Sequence, residues 1–134
     1  MEIKVIFHID EAPKWDLLLH NVANLISAYA LERPAVCREG SKKELVVSAN
    51  QADLQLEVLA NSMAVQGYMT DAIDADAELM QQLAKQGVRF VACANALAGL
   101  QIQPEQLHSF VTVVPAGVRE LVERQREGFA YIKP

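Results

Sequence analysis

The chain has 134 residues, of which 51% are hydrophobic and 22% charged. This composition is typical of one folded domain and excludes disordered or collagen-like chains. Twelve Lys and Arg residues against seventeen Asp and Glu residues give a formal net charge of −5. Nucleic acid is therefore not expected as a partner, because binding a polyanion requires clustered basic residues.

The first apolar run and the two cysteines favour a cytoplasmic location. The run ends at His8 and is too short for a secretory signal sequence. The longest apolar region, 15–31, contains polar residues that make a membrane span unfavourable. Cys37 and Cys93 form neither a CxxC motif nor a zinc spacing. We expect both to be free thiols in a reducing compartment, and we expect no membrane partner.

Strand-like and helix-like segments alternate along the chain. Short β-branched or apolar runs predict strands at 3–9, 54–59, 88–92 and 110–114, with a last short strand within 130–134. Helical periodicity predicts helices from Pro13 to Tyr29, from 77 to 86 and from 116 to 127. In the last helix we expect Val118, Leu121 and Val122 to face inward, and Glu120 and Arg124 to form an i,i+4 pair.

This alternation predicts an α/β fold: a three-layer α/β/α sandwich with a mainly parallel sheet of about five strands. Residues 32–53 fit the pattern poorly, because Pro34, Gly40 and the polar run 41–44 interrupt them. We interpret this segment as an irregular insertion in a single domain that spans 1–134.

Candidate functional residues are those at the carboxyl ends of the strands, where parallel sheets bind ligands. They are His8, Asp10, Asn61, Ser62, Cys93, Asn95, Ala116 and Gly117. Cys93 is the most informative, because the sequence around it predicts a strand turning into a short helix, with Asn95 available as the N-cap. Backbone N–H groups at a helix start stabilise a thiolate, which suits nucleophilic or sulfur-carrying chemistry. The alternative is a small apolar side chain that fills a tight corner.

The histidines and acidic residues permit simpler interpretations. His8 could hydrogen-bond to a ligand or to the thiol, although such a histidine more commonly bonds a backbone carbonyl. His20 and His108 are expected to be solvated. The acidic run from Asp71 to Glu78 lacks the glycine and the terminal glutamate of a calcium loop, so we expect helix-end electrostatics, with Asp76 as a candidate N-cap, and no metal. The chain has no GxGxxG, GxxxxGK[ST], HExxH or GxSxG motif, and no cofactor is expected.

Four stretches resemble the DsrE/DsrF-like family, small α/β proteins that include components of bacterial sulfur relays. They are Ile3 to Asp10 with Trp15, Glu57 to Asn61, GVRFVACANAL from Gly87 to Leu97, and the chain from Val113 to its end. The resemblance implies a flavodoxin-like domain that assembles as a homotrimer or homohexamer. It also implies a cysteine after the third strand as the candidate sulfur carrier, which is Cys93 here. The chain departs from the family in having Asn61-Ser62 where relatives commonly carry Asn-Gly, and in lacking basic residues directly after Cys93.

Three hypotheses remain open from the sequence. In the first, the Cys93 thiolate accepts sulfane sulfur and exchanges it with a sulfur donor or acceptor protein. In the second, the chain is a non-catalytic oligomeric module in which Cys93 only packs. The ligand of that module would contact His8, Asn61, Ser62, Asn95 and Gly117. In the third, apolar surface serves assembly alone.

Overall fold

The computed structural model describes residues 2–31 and 53–134. Within these residues, five strands form one parallel sheet in the order β4-β3-β2-β1-β5. They are β1 (Ile3–Ile9), β2 (Leu54–Ala60), β3 (Arg89–Cys93), β4 (Val111–Val114) and β5 (Ala130–Ile132). The predicted α/β fold with a parallel sheet is confirmed. The proposed insertion, apart from Asp53, lies outside the described residues, as does Cys37.

Helices connect the strands. They are α1 (Trp15–Leu31), α2 (Ala77–Lys85), α3 (Ala94–Gly99) and α4 (Gly117–Arg126), with 3₁₀ helices at Ala12–Lys14, Ser62–Tyr68 and Pro104–Gln106. The 3₁₀ helix after β2 was not predicted. Asp76, which the sequence left as a candidate, is the N-cap of α2, since its carboxylate accepts a hydrogen bond of 3.1 Å from the backbone N–H of Leu79. Among the described helices, none has the length and apolar content needed to span a membrane.

The two faces of the sheet carry unequal layers. Strands β1 to β4 lie side by side in chain order, and β5 pairs with the other edge of β1. Because crossovers between parallel strands are right-handed, α1, α2 and α3 lie on one face of the sheet and α4 lies on the other. The larger core lies under the first three helices and includes Phe7, Trp15 and Phe90. The smaller core comprises Ile6, Leu59, Val91 and Phe129, with Val114 and Leu121 packed against it.

The inward face of α4 differs from the sequence prediction. Leu121 packs against the smaller core, but Val118 and Val122 are 66% and 55% exposed. The side chains turned toward the sheet include Glu120 and Arg124. The prediction was wrong for the two valines because α4 lies over an ionisable residue of β2, Glu57, with which the polar side chains of the helix form contacts.

A buried ion cluster fixes α4 to the sheet. Glu57 is only 2% exposed, and Arg124 Nε lies 3.1 Å from its Oε1 and 3.0 Å from Glu120 Oε2. Arg89 adds longer contacts of 3.4 and 3.7 Å to the same carboxyl groups. Burial and the neighbouring Glu120 raise the pKa of Glu57 to about 8. The Oε2 atom of Glu57 is buried without a hydrogen-bond partner.

Candidate functional site

Four of the predicted site residues meet at the carboxyl edge of the sheet, on the face that α4 covers. His8 lies near the end of β1, Asn61 follows β2, and Cys93 ends β3. Gly117 begins α4 beside them, and Tyr131 on β5 completes the group. We call these five residues the strand-end site.

Cys93 occupies the corner between β3 and α3. It is the last residue of the strand and also the N-cap of the helix, with an extended backbone. The prediction of Asn95 as N-cap was therefore wrong, because the strand continues through Cys93 and Asn95 lies inside the helix, exposed to solvent. The Cys93 side chain is buried, with only 6% of the residue exposed in the single protomer.

Gly117 brings the start of α4 against Cys93. A Cβ placed on Gly117 would lie 3.2 Å from Cys93 Cβ and 3.4 Å from Asn61 Cβ, so only glycine fits here without displacing its neighbours. The N-cap of α4 is Ala116, which has no side-chain acceptor for the first N–H groups of the helix. The positive end of the α4 dipole thus begins next to the cysteine.

His8 makes two side-chain hydrogen bonds. Its Nδ1 lies 2.6 Å from the Tyr131 hydroxyl, and its Nε2 lies 3.0 Å from Asn61 Oδ1. The residue is only 9% exposed. Both ring nitrogens are therefore occupied by neighbours other than Cys93, and by side chains rather than by the backbone carbonyl of the simpler interpretation.

Sequence reasoning missed Tyr131. The register pairs Tyr131 with Ile6 across β1 and β5, and Ile6 belongs to the smaller core under α4. Tyr131 therefore points to the same face as His8. The alternation of side chains within AYI indicates that Tyr131 faces the opposite side of the sheet from its two neighbours. It does not place Tyr131 near His8 unless β5 is known to lie beside β1.

The remaining predicted ligand-binding residues lie apart. Ser62 and Asn95 are exposed, and in the described chain neither makes a side-chain hydrogen bond to the strand-end site. Ser62 has φ of 53°, the left-handed conformation that favours glycine. Ser62 thus adopts, with a Cβ, a conformation that costs glycine nothing.

The other titratable residues also have definite positions. His20 is exposed, as expected. The prediction for His108 was wrong, because its ring stacks on Phe110 at 5.1 Å, its Nε2 atom is buried, and burial lowers its pKa. Asp10 forms an ion pair of 2.9 Å with Lys133, and this bond lowers the pKa of the carboxyl group. The described residues contain no group of three or more His, Cys, Asp or Glu side chains that could hold a metal ion.

Comparison of the chain with known protein families and solved structures identifies its relatives. The sequence model of the DsrE/DsrF-like family matches residues 69–134. The chain is similar to the solved structure of MTH1491, a protein of unknown function from Methanobacterium thermoautotrophicum. The two share 32% sequence identity over 99% of this chain and 100% of that chain, with a TM-score of 0.76. The ychN protein from E. coli shares the fold at 15% identity, with 100% of both chains covered and a TM-score of 0.63.

A search of curated proteins found no significant match. The matching family model covers the second half of the chain, which contains Cys93, α4 and β5. The similarity to MTH1491 extends over nearly the whole chain. The chain belongs to the DsrE/DsrF-like family.

Proposed function

We propose that this protein handles sulfane sulfur, which Cys93 carries as a persulfide. Family membership supports the general class of chemistry. The observation that carries the proposal is the contact between Cys93 and Gly117, because it sets the start of a ten-residue helix against the cysteine. A helix start stabilises anionic sulfur, whether thiolate or persulfide.

The proposed step is an exchange with no net oxidation. The Cys93 thiolate attacks the terminal sulfur of a donor hydropersulfide, so that an S–S bond forms at Cys93 Sγ and the S–S bond of the donor breaks. The donor leaves as a thiolate and the proton stays on the transferred sulfur or passes to solvent. An acceptor thiolate reverses the sequence, and Cys93 returns to its starting state.

The proposed function involves other proteins and further copies of this chain. A sulfur donor or acceptor protein in the reducing cytoplasm would supply and remove the sulfur. We also propose that the chain forms a homotrimer or homohexamer, since Val118 and Val122 lie one turn apart on α4 and are both largely exposed in the protomer. A second copy would cover this apolar stripe.

The burial of Cys93 favours a second candidate function. At 6% exposure the thiol packs well in the corner that it fills, as an inert cysteine does. An open cavity of about 210 Å³ lies beside the start of α4, lined by residues that include Pro115, Ala116 and Arg119. An oligomeric module that binds a small ligand there, with no covalent chemistry, is the alternative.

Cyanolysis tests the sulfur proposal. The protein is incubated with polysulfide, freed of excess reagent and treated with cyanide, which takes the outer sulfur as thiocyanate and regenerates the thiolate. We expect stoichiometric thiocyanate from wild type and from Cys37→Ser, and none from Cys93→Ser in a Cys37→Ser background. Thiocyanate at background level from Cys37→Ser would refute the proposal and leave the ligand-binding module as the better account.

A further inference from the structure

The hydrogen bonds around His8 join Tyr131 to Asn61 through the two ring nitrogens. Asn61 Oδ1 can only accept, so the bond of 3.0 Å places a hydrogen on His8 Nε2. In the neutral ring Nδ1 is then an acceptor, and the Tyr131 hydroxyl, 2.6 Å away, donates to it. In this arrangement the phenol on the last strand, the imidazole on the first strand and the amide after β2 form one chain of hydrogen bonds, with the ring as its Nε2–H tautomer.

The same chain orients the amide of Asn61. Its backbone is fixed, because the N–H donates to Ile9 O at 3.1 Å and the carbonyl accepts from Ala64 N at 3.2 Å. With Oδ1 committed to His8, the Nδ2 group is the remaining functional end of the side chain. No acceptor for it is found in the described part of the molecule.

The amide lies beside Cys93. Asn61 Cβ and Cys93 Cβ both lie within 3.4 Å of the point where a Gly117 Cβ would stand. The side chains of Asn61 and Cys93 therefore flank one point at the start of α4. Reversing the amide would present a carbonyl oxygen instead, which repels anionic sulfur.

We propose that Tyr131 is a positioning residue, which acts through His8 to keep the Nδ2 donors of Asn61 available to anionic sulfur on Cys93. This inference rests on the proposed function and concerns the charge of the sulfur that the same site holds. The site suits a small terminal sulfur with a single negative charge, such as a deprotonated persulfide, which accepts hydrogen bonds from one amide and one helix start.

Two conservative variants test the proposal in a Cys37→Ser background. Tyr131→Phe retains the ring and removes the hydroxyl that locks His8. Asn61→Asp retains an acceptor for His8 Nε2–H and removes the donors. Tyr29→Phe, the same change on α1 away from the site, is the control.

Two measurements test the effect of these variants, one on the tautomer of His8 and one on the reactivity of Cys93. Nitrogen NMR of labelled histidine, with the His8 signal assigned from its loss in His8→Gln, should show the Nε2–H tautomer in wild type and a mixture in Tyr131→Phe. The alkylation rate of Cys93 at fixed pH, which follows the thiolate, should fall by roughly tenfold or more in Asn61→Asp. It should fall severalfold in Tyr131→Phe and stay unchanged in Tyr29→Phe.

The outcomes separate this inference from the proposed function. Tyr131→Phe would overturn the inference if it kept the wild-type tautomer, or if it changed the tautomer without changing the alkylation rate. A wild-type rate in Asn61→Asp would also overturn it. Neither readout requires persulfide formation, so a failed cyanolysis experiment with the expected NMR and alkylation results would refute the sulfur-carrier function alone.

Discussion

The imidazole of His8 and the phenol of Tyr131 join the first strand to the last through a hydrogen bond of 2.6 Å, across 123 positions of sequence. The bond exists because β5 pairs with β1 at the point where the sheet order reverses. Parallel sheets place ligand sites at this reversal. The C-terminal strand therefore contributes to the candidate site as well as to the sheet.

Replacing Gly117 by Ala should destabilise the protein, although alanine is the better helix former. The added methyl group would meet Cys93 Cβ at 3.2 Å and Asn61 Cβ at 3.4 Å, and both atoms are held by backbone. We expect a loss of about 1–3 kcal/mol in denaturant unfolding. Gly99→Ala is the control, since no atom lies within 4 Å of its added carbon. Equal stabilities for the two variants would show that α4 can move away from Cys93.

Replacing Ser62 by Gly should stabilise the protein by up to about 1 kcal/mol. Ser62 has φ of 53°, and glycine adopts this conformation without the steric cost that a Cβ imposes. Gln101→Gly offers a second test, because Gln101 has φ of 59°. Ser62→Ala keeps the Cβ and should bring no gain. A midpoint of chemical denaturation that falls in Ser62→Gly would contradict the account.

Replacing Glu57 by Gln should remove part of the pH dependence of stability. The pKa of Glu57 is raised to about 8 in the folded chain from an ordinary value of 4.5, so the folded state binds a proton that the unfolded state releases. The stability of wild type should fall as pH rises from 4.5 to about 8, and then level off. Glutamine imitates the protonated form, so the variant should lose this decline and be the more stable protein above that range.

Denaturant unfolding across this pH range measures the effect. Glu127→Gln is the matched control, because Glu127 also pairs with Arg124, at 2.8 Å, but its side chain is 52% exposed. The control should keep the slope of wild type. An unchanged slope in Glu57→Gln would mean that Glu57 is ionised in the folded protein.

The exposed stripe on α4 gives a prediction about assembly. Val118→Glu combined with Val122→Lys retains helix propensity and adds an i,i+4 pair, but it puts charge where we expect a second copy to pack. Light scattering should show a trimer or hexamer for wild type and a smaller particle for the double variant. Ile73→Glu, at a residue that is 95% exposed, is the control and should leave the mass unchanged. A monomeric wild type would contradict the proposed assembly.

The sequence predicted most elements because their signals are local. Alternating apolar runs marked the strands, and apolar residues at helical spacing marked α2. The position of Cys93 at the end of β3 followed from the same reasoning. Strand order has no local signal, so the approach of Tyr131 to His8 could not be predicted.

The error on α4 has a different origin. Two stripes of this helix have helical spacing, an apolar one through Val118 and Val122 and a polar one through Glu120 and Arg124. Hydrophobicity alone favours burial of the apolar stripe. The polar stripe is turned inward because Glu57 lies beneath it on β2, a long-range contact that one helix cannot reveal.

The central claim is that Cys93 holds sulfane sulfur, and intact mass spectrometry tests it most directly. Wild type and Cys37→Ser are exposed to polysulfide, desalted and weighed, with and without a thiol reductant. Cys93→Ser in the Cys37→Ser background is treated in the same way. The account predicts a gain of one sulfur atom in Cys37→Ser, its reversal by reductant, and no gain in the double variant. An unchanged mass in Cys37→Ser would contradict it.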